Sequence, residues 1–188
     1  MVNQMHTWNL LGFYDDGLKP KTIVEGLPVM GNVSMLNEVT HDLAVVIAIA
    51  DPSIRQKIAN CLKNGKLYFP TLFHPTVIAG HSANKFGKGC IIAAGVIMTT
   101  GITLGDFVIV NLATTIGHDV CIDHYTSIMP QCSISGSVKL GERCFVGSGS
   151  RILQGISIGD NSIVGAGAVV TKSFEANSKL VGVPALNS

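Results

Sequence analysis

His118 and Asp119 form the pair of side chains in this sequence that is best suited to acid–base chemistry. An imidazole titrates near neutral pH, so it can take a proton from a reacting group and release it again. Positions eighteen residues apart in this region carry Thr100, His118, Gly136, Gln154 and Lys172. If these positions stack, Gly136 leaves open space beside the imidazole of His118. That arrangement is typical of a general base facing a bound substrate, whereas a plain surface histidine is the alternative.

The stacking is predicted by a repeat that runs through the second half of the chain. A large apolar residue occupies every sixth position: Phe86, Ile92, Met98, Leu104, Val110, Ile116, Ile122, Ile128, Ile134, Leu140, Val146, Ile152, Ile158, Val164 and Val170. Helices place apolar residues about 3.6 apart and strands 2 apart, so a period of six indicates a chain that turns a corner every six residues. Small or β-branched residues two positions before each of them suit a narrow interior. Three faces of six residues predict one triangular coil of eighteen.

The first seventy residues lack this period and predict a small α/β unit. Leu43 to Ala50 is a continuous apolar run of strand length, as in a parallel strand that is covered on both faces. Asp51-Pro52 predicts the start of a helix, with Asp as the N-cap and Pro in the first turn. The apolar face of this helix is expected to consist of Ile54, Ile58 and Leu62. The helix is expected to end at Asn64-Gly65, and the next strand to run from Leu67 to Phe69.

The six-residue repeat resembles that of the hexapeptide-repeat acyltransferases, whose fold is a left-handed parallel β-helix. The expected fold class is therefore mainly β: a left-handed parallel β-helix of hexapeptide repeats preceded by a small, N-terminally shortened α/β domain. The expected domains are 1–70, a truncated Rossmann-like substrate domain, and 71–188, a β-helix that binds acetyl-CoA and ends in a C-terminal tail.

An α/β unit before this repeat narrows the resemblance to bacterial sugar acetyltransferases of the sialic acid O-acetyltransferase and UDP-4-amino-sugar N-acetyltransferase group. The matching pieces are Tyr14-Asp15-Asp16, Ile47-Ala-Ile-Ala-Asp51, Ile54-Arg55, His74-Pro75, Ile116-Gly117-His118-Asp119 and Val181-Gly-Val-Pro-Ala185. The resemblance implies transfer of the acetyl group of acetyl-CoA to an amino or hydroxyl group of a sugar, either a nucleotide-linked amino sugar or sialic acid. It also implies a homotrimer with the CoA groove between neighbouring prisms.

The same resemblance implies roles for individual residues. His118 would be the general base that permits direct attack on the thioester, and Asp119 would tune or orient its ring. The acetyl-CoA groove would involve Gly136, Ser148, Ala166 and Lys172, and the acceptor sugar would be met by Asp15, Asp16 and Asn111. A turn with Gly17, a corner carboxylate and a solvated lysine are the plainer interpretations of the acidic pair, of Asp119 and of Lys172. Ser127 stands where relatives often place a second histidine.

Composition excludes several other classes of protein. The net charge is +1 with no basic run, which argues against nucleic acid and anionic membranes as partners. No signal peptide and no apolar run of spanning length is evident, so a cytoplasmic protein is expected. Cys90, Cys132 and Cys144 fall on the small inward series and are expected to be reduced. No Gly-x-Gly-x-x-Gly occurs, so the nucleotide end of the sugar site is expected to be absent or altered.

Three alternatives remain at the level of the sequence. A serine-like or other small hydroxyl acceptor would keep the chemistry, although serine acetyltransferases resemble a helical N-terminal domain instead. A zinc enzyme like the γ-class carbonic anhydrases would need three converging histidines, whereas His118 and His124 lie on different columns and His81 lies where the register is blurred. A solenoid without catalytic activity is the third alternative.

Overall fold

The computed structural model describes residues 8–80 and 83–188. These residues form a small N-terminal unit followed by a parallel β-solenoid, which confirms the fold class expected from the repeat. Within them, every helix is too short or too polar to cross a lipid bilayer. His81, weighed above as a metal ligand, lies outside the described residues.

The N-terminal unit is built from short strands and short helices. In chain order they are β1 (Phe13–Tyr14), β2 (Ile23–Val24), β3 (Leu27–Gly31), a 3-10 helix (Val33–Glu38), β4 (Leu43–Ala44), α1 (Pro52–Cys61) and β5 (Leu67–Tyr68). Strands β1 and β3 pair in parallel, and so do β4 and β5 across the helix. The β4–α1–β5 segment is the strand, helix and parallel strand that the sequence predicts.

Strand β4 is shorter than the apolar run from which it was predicted. The ladder ends with the hydrogen bond from the Val45 N–H to the carbonyl of Tyr68, at 2.9 Å. Strand β5 then leaves for the solenoid, where the carbonyl of Phe69 accepts a hydrogen bond from the N–H of Gly89 at 2.9 Å. The run stays apolar beyond the strand because Ile47 and its neighbours pack in the core of the unit.

Helix α1 begins as predicted, since Asp51 Oδ1 accepts a hydrogen bond from the N–H of Ile54 at 2.9 Å. The predicted apolar face is wrong at Ile54, whose exposed fraction is 47%. The buried face instead follows positions 52, 55 and 62, because this stripe contacts the rest of the protein. The helix ends at Cys61, before the predicted Asn64-Gly65, and the Asn64 side chain donates to the carbonyl of Leu36 in the 3-10 helix and to that of Val39 just after it.

The solenoid has three faces of short parallel strands that pair with strands about eighteen residues away. The first face contains β6 (Leu72–Phe73), β9 (Ile91–Ile92), β12 (Ile109–Val110), β15 (Ser127–Ile128), β18 (Phe145–Val146), β21 (Ile163–Val164) and β23 (Lys179–Gly182), with β24 (Ala185–Asn187) antiparallel to β23. The second face contains β7 (Ile78–Ala79), β10 (Ile97–Met98), β13 (Thr115–Ile116), β16 (Ser133–Ile134), β19 (Arg151–Ile152) and β22 (Val169–Val170). The third face contains β8 (Lys85–Phe86), β11 (Thr103–Leu104), β14 (Cys121–Ile122), β17 (Lys139–Leu140) and β20 (Ser157–Ile158).

The interior of the solenoid is filled by the two predicted series. From Ile92 to Val170 the apolar rungs are at most 2% exposed, and the small series two positions earlier is equally closed to solvent. Cys90 is a free, buried thiol of that series, and burial raises its pKa to about 11. Before Phe86 the rung is Ala79, seven positions earlier instead of six, so one extra residue in this corner explains the lost period.

The corners stack into three edges that organise the outward side chains. Edge A, between the first and second faces, carries Ala94, Leu112, Pro130, Ser148 and Ala166. Edge B, between the second and third faces, carries Thr100, His118, Gly136, Gln154 and Lys172. Edge C, between the third face and the first face of the next coil, carries Lys88, Asp106, His124, Glu142 and Asp160. The pair His118 and Asp119 therefore belongs to edge B.

The N-terminal unit packs on edge C and on the first face. The rings of Phe107 and Tyr125 stack there with centroids 5.3 Å apart, and Phe69 meets Phe107 edge-on at 5.2 Å. The fully buried guanidinium of Arg55 donates to the carbonyls of Phe107, at 2.9 Å, and of Tyr125, and to Ser127 Oγ at 2.9 Å. One side chain of helix α1 thus holds two successive coils of the solenoid.

Candidate active site

The corner after strand β13 brings His118 and Asp119 into direct contact. His118 Nδ1 lies 2.9 Å from Asp119 Oδ2, and the two side chains are 52% and 67% exposed. An ionised carboxylate only accepts hydrogen bonds, so Nδ1 carries the proton in this pair. The neutral imidazole therefore keeps its lone pair on Nε2, as a general base needs.

The backbone on both sides fixes this pair on the neighbouring coils. The N–H of Asp119 donates to the carbonyl of Thr100 at 3.0 Å, and the carbonyl of His118 accepts from the N–H of Ser137 at 2.7 Å. Asp119 adopts a left-handed φ of 58°, the conformation that other corners of the solenoid share. Position and direction of the two side chains are thus set by the parallel ladder.

Gly136, one coil further on, lies directly beside the imidazole. A Cβ built on Gly136 would lie 2.5 Å from His118 Nε2, a distance that real Cβ atoms do not show. Only glycine therefore leaves the ring in this orientation. The N–H of Gly136 donates to no acceptor within the described part of the chain, and the residue itself is buried. The sequence spacing predicts Gly136 beside His118, and the structure has the imidazole packed against it; the predicted open space is wrong, because Gly136 is buried and the ring fills the position that a side chain would take.

The other residues assigned to the acetyl-CoA groove lie on two edges. Lys172 is on edge B with His118, and its Nζ lies 5.5 Å from the centroid of the Phe174 ring. Ser148 and Ala166 are exposed on edge A, across the second face. Asn111 is also on edge A, where its Oδ1 accepts a hydrogen bond from the N–H of Leu112 at 2.8 Å. One chain alone brings together only His118, Asp119 and Gly136.

The acidic pair lies in the N-terminal unit, and its two members differ. Asp15 Oδ1 accepts a hydrogen bond from the N–H of Gly17 at 2.7 Å, as in the plain turn. Asp16 Oδ1 accepts from the N–H of Val33 at 2.8 Å and lines a pocket of about 220 Å³ together with Lys57. Asp16 is thus the member of the pair that faces a concave surface.

Ser127 and Arg55 have a role that the sequence reasoning did not find. Ser127 is fully buried on the first face, donates to the carbonyl of Ala50 at 2.6 Å and accepts from Arg55 at 2.9 Å. Both residues therefore join the N-terminal unit to the solenoid. The signal was present in helix α1, where Arg55 stands on the stripe between the buried Pro52 and Leu62.

Among the described residues, a single group places three potential metal ligands within reach of one another: Asp123, His124 and Glu142. The group fits a metal poorly. His124 Nδ1 accepts a hydrogen bond from the N–H of Asp106 at 2.8 Å, so the ring proton is on Nε2, which faces Asp123. Arg143 already pairs with Glu142 at 2.6 Å. Along edge C, the side chains of Asp106, His124 and Asp160 thus accept hydrogen bonds from backbone N–H groups of the preceding coil.

Two family models match the chain. The hexapeptide repeat of succinyl-transferase matches residues 137–172, and the PglD N-terminal domain matches residues 1–62. Among curated proteins, the chain is 32% identical over 158 residues to GDP-perosamine N-acetyltransferase of Escherichia coli O157:H7, which covers 84% of this chain and 70% of that protein.

Solved structures agree with these matches. A histidine-to-asparagine variant of perosamine N-acetyltransferase from Caulobacter crescentus, in complex with CoA and GDP-perosamine, superposes with a TM-score of 0.87 at 29% identity. The superposition covers 94% of this chain and 84% of the Caulobacter crescentus chain. The acetyltransferase domain of PglB from Neisseria gonorrhoeae gives a TM-score of 0.91 at 28% identity, over 100% of this chain and 91% of that one. With this repeat, this N-terminal unit and these relatives, the chain belongs to the hexapeptide-repeat sugar acetyltransferases.

Proposed function

We propose that this protein moves the acetyl group of acetyl-CoA to the amino group of a nucleotide-linked sugar, with His118 as the general base. The observation that carries the proposal is the contact of His118 Nδ1 with Asp119, with the imidazole packed against Gly136, in a chain of this family. The match of the PglD N-terminal model to residues 1–62 favours a sugar over serine as the acceptor.

The chemistry needs no covalent intermediate on the protein. The acceptor nitrogen attacks the thioester carbonyl carbon while His118 Nε2 takes its proton. The oxyanion that forms is stabilised by the N–H of Gly136, and the C–S bond then breaks. The leaving CoA thiolate then takes the proton from the imidazolium. Between these two proton transfers, the carboxylate of Asp119 balances the positive charge of the imidazolium. The same groups would serve a hydroxyl acceptor.

The remaining residues would hold the two substrates. Gly136, Ser148 and Ala166 would line the path of the pantetheine arm, and Lys172 would meet the phosphates of CoA. The acceptor would be held by Asn111 beside the acetyl group and by Asp15 and Asp16 at its nucleotide end. These assignments divide the site between edges A and B and the N-terminal unit.

A homotrimer would reunite these parts. The N-terminal unit of one chain is fixed to edge C and the first face, while His118 is on edge B. Six residues separate His118 from His124 on edge C, so the two edges can be roughly 20 Å apart. Edge A is likewise separated from edge B by the second face. Packing three prisms side by side would set edge B of one subunit against edge A and the N-terminal unit of a neighbour.

Mixed oligomers would reveal a site shared between subunits. His118→Gln subunits and Asp15→Asn/Asp16→Asn subunits, each inactive alone, are co-expressed at equal amounts. In random trimers, about one quarter of the sites combine an intact histidine with an intact N-terminal unit from a neighbour. The measured turnover per subunit should reach that fraction of the wild type. Turnover that stays at the sum of the two separate variants would place the whole site within one chain.

Ligand-dependent thermal unfolding tests the proposed function directly. Acetyl-CoA should raise the unfolding midpoint, and so should one of a panel of UDP-, GDP- and CMP-linked amino sugars, because a ligand that binds only the folded state stabilises it. Release of free CoA in the presence of both ligands should then follow. A shift with acetyl-CoA alone would point to a free sugar or small amine as acceptor, and no shift with acetyl-CoA would refute the proposal.

A further inference from the structure

Gly101, one coil before Asp119 on edge B, lies directly under the carboxylate of Asp119. A Cβ built on Gly101 would lie 2.4 Å from Asp119 Oδ1. The other carboxylate oxygen, Oδ2, is the one that contacts His118 Nδ1 at 2.9 Å. The carboxylate therefore reaches the imidazole only in an orientation that places Oδ1 in the space left by the missing side chain of residue 101.

If the carboxylate moves out of this space, it leaves the orientation in which it contacts His118. The backbone of Asp119 is fixed by its hydrogen bond to the carbonyl of Thr100, the residue next to Gly101. A rotation that moved Oδ1 away from a side chain at 101 would also move Oδ2 away from His118. A side chain at position 101 would therefore displace the carboxylate from the position in which it contacts His118.

The backbone conformation does not by itself require glycine here. Gly101 has a φ of 71°, but the equivalent corner positions of the next two coils, Asp119 and Ser137, each have a φ of 58° with a side chain present. The corner thus tolerates non-glycine residues at a moderate cost. What distinguishes position 101 is the carboxylate above it. Gly155, at the same place two coils beyond Asp119, has a φ of 73° and no atom within 4 Å of a built Cβ.

We propose that Gly101 is a positioning residue for the candidate base: its missing side chain lets Asp119 hold the proton of His118 on Nδ1 and so leaves Nε2 free to accept one. The part that concerns turnover rests on the proposed function. The part that concerns the imidazole tautomer does not, because it follows from the contacts within the chain.

Gly101→Ala tests the proposal, with Gly155→Ala as the matched control for the backbone cost of alanine at a left-handed position. Nitrogen-15 spectra of the full protein report which ring nitrogen of His118 carries the proton, with His118→Gln identifying the signals. The Gly101→Ala protein should lose the Nδ1–H tautomer in favour of Nε2–H, as should Asp119→Asn. The Gly155→Ala protein should keep the wild-type tautomer.

Turnover provides the second measurement. Gly101→Ala should lower kcat roughly 10-fold with KM for acetyl-CoA nearly unchanged, and combining it with Asp119→Asn should add nothing, because both act on one contact. A Gly101→Ala protein that matches Gly155→Ala in tautomer and kcat would overturn the proposal while leaving the proposed function intact. If Gly101→Ala changed the tautomer but the wild-type protein acetylated no sugar, the positioning role would stand and the proposed function would be refuted.

Discussion

Replacement of His118 by alanine is expected to lower kcat for acetyl transfer by a factor of roughly 10²–10⁴, the usual contribution of a positioned general base. Nε2 is the ring nitrogen of His118 that Asp119 does not engage, so its lone pair is the one that can take a proton from the acceptor. Initial rates with saturating acetyl-CoA and acceptor provide the measurement. KM for acetyl-CoA should change little, because the imidazole interacts with the transferred proton and not with the CoA body.

The matched control is His124→Ala, six residues along the chain. His124 is partly exposed on edge C, and its Nδ1 is already engaged by the N–H of Asp106 at 2.8 Å. It should keep kcat within about two-fold of the wild type, since changes outside a site usually have small effects. If kcat fell equally in the two variants, His118 would not be the general base, and the loss would reflect a structural effect of removing an imidazole.

The solenoid could be predicted from the sequence because its contacts are local and periodic. Each rung from Ile92 to Val170 is buried by neighbours eighteen residues away, so a period of six is enough to place every one of them. The same register places Gly136 beside His118, and in the structure the imidazole packs against this glycine. The period fails at the corner after Ala79, where one added residue shifts the count, and again after Val170, where Phe174 and Leu180 pair with residues sixteen positions earlier.

The docking of the N-terminal unit could not be predicted in this way. Arg55 bonds residues 52, 70 and 72 positions further along the chain, and no periodic pattern connects positions so far apart. The apolar face predicted at Ile54 is wrong, and the buried contacts are made by Arg55, a residue type that is seldom fully buried. The contact between His118 Nδ1 and Asp119, by contrast, joins adjacent residues, and only its rotamer needed the structure.

Substitution of Arg55 by alanine is expected to lower the free energy of unfolding by about 3–5 kcal/mol, because hydrogen bonds to a charged group are worth about 1.5–3 kcal/mol each and several are lost together. Burial lowers the pKa of Arg55 to about 10, so the side chain remains charged at neutral pH. Its charge is shared among carbonyls of Ile49, Ala50, Phe107 and Tyr125 and the hydroxyl of Ser127. Alanine would remove the donor that the carbonyls of Ile49, Phe107 and Tyr125 share, while the carbonyl of Ala50 would keep its hydrogen bond from Ser127.

Trp8 offers a local probe of this loss, because it is the sole tryptophan of the chain and its ring lies 6.3 Å from that of Tyr68 in the N-terminal unit. Its fluorescence in a denaturant titration should report an early transition in Arg55→Ala, before the solenoid unfolds by circular dichroism. Lys57→Ala, an exposed cation on the same helix, should shift the transition by no more than about 0.5 kcal/mol. If the two variants unfolded alike, the stacked aromatic contacts of Phe107 would have to hold the unit in place without the guanidinium. If Arg55→Ala alone separated the two transitions, a single side chain would decide whether the N-terminal unit stays fixed to the solenoid that carries His118.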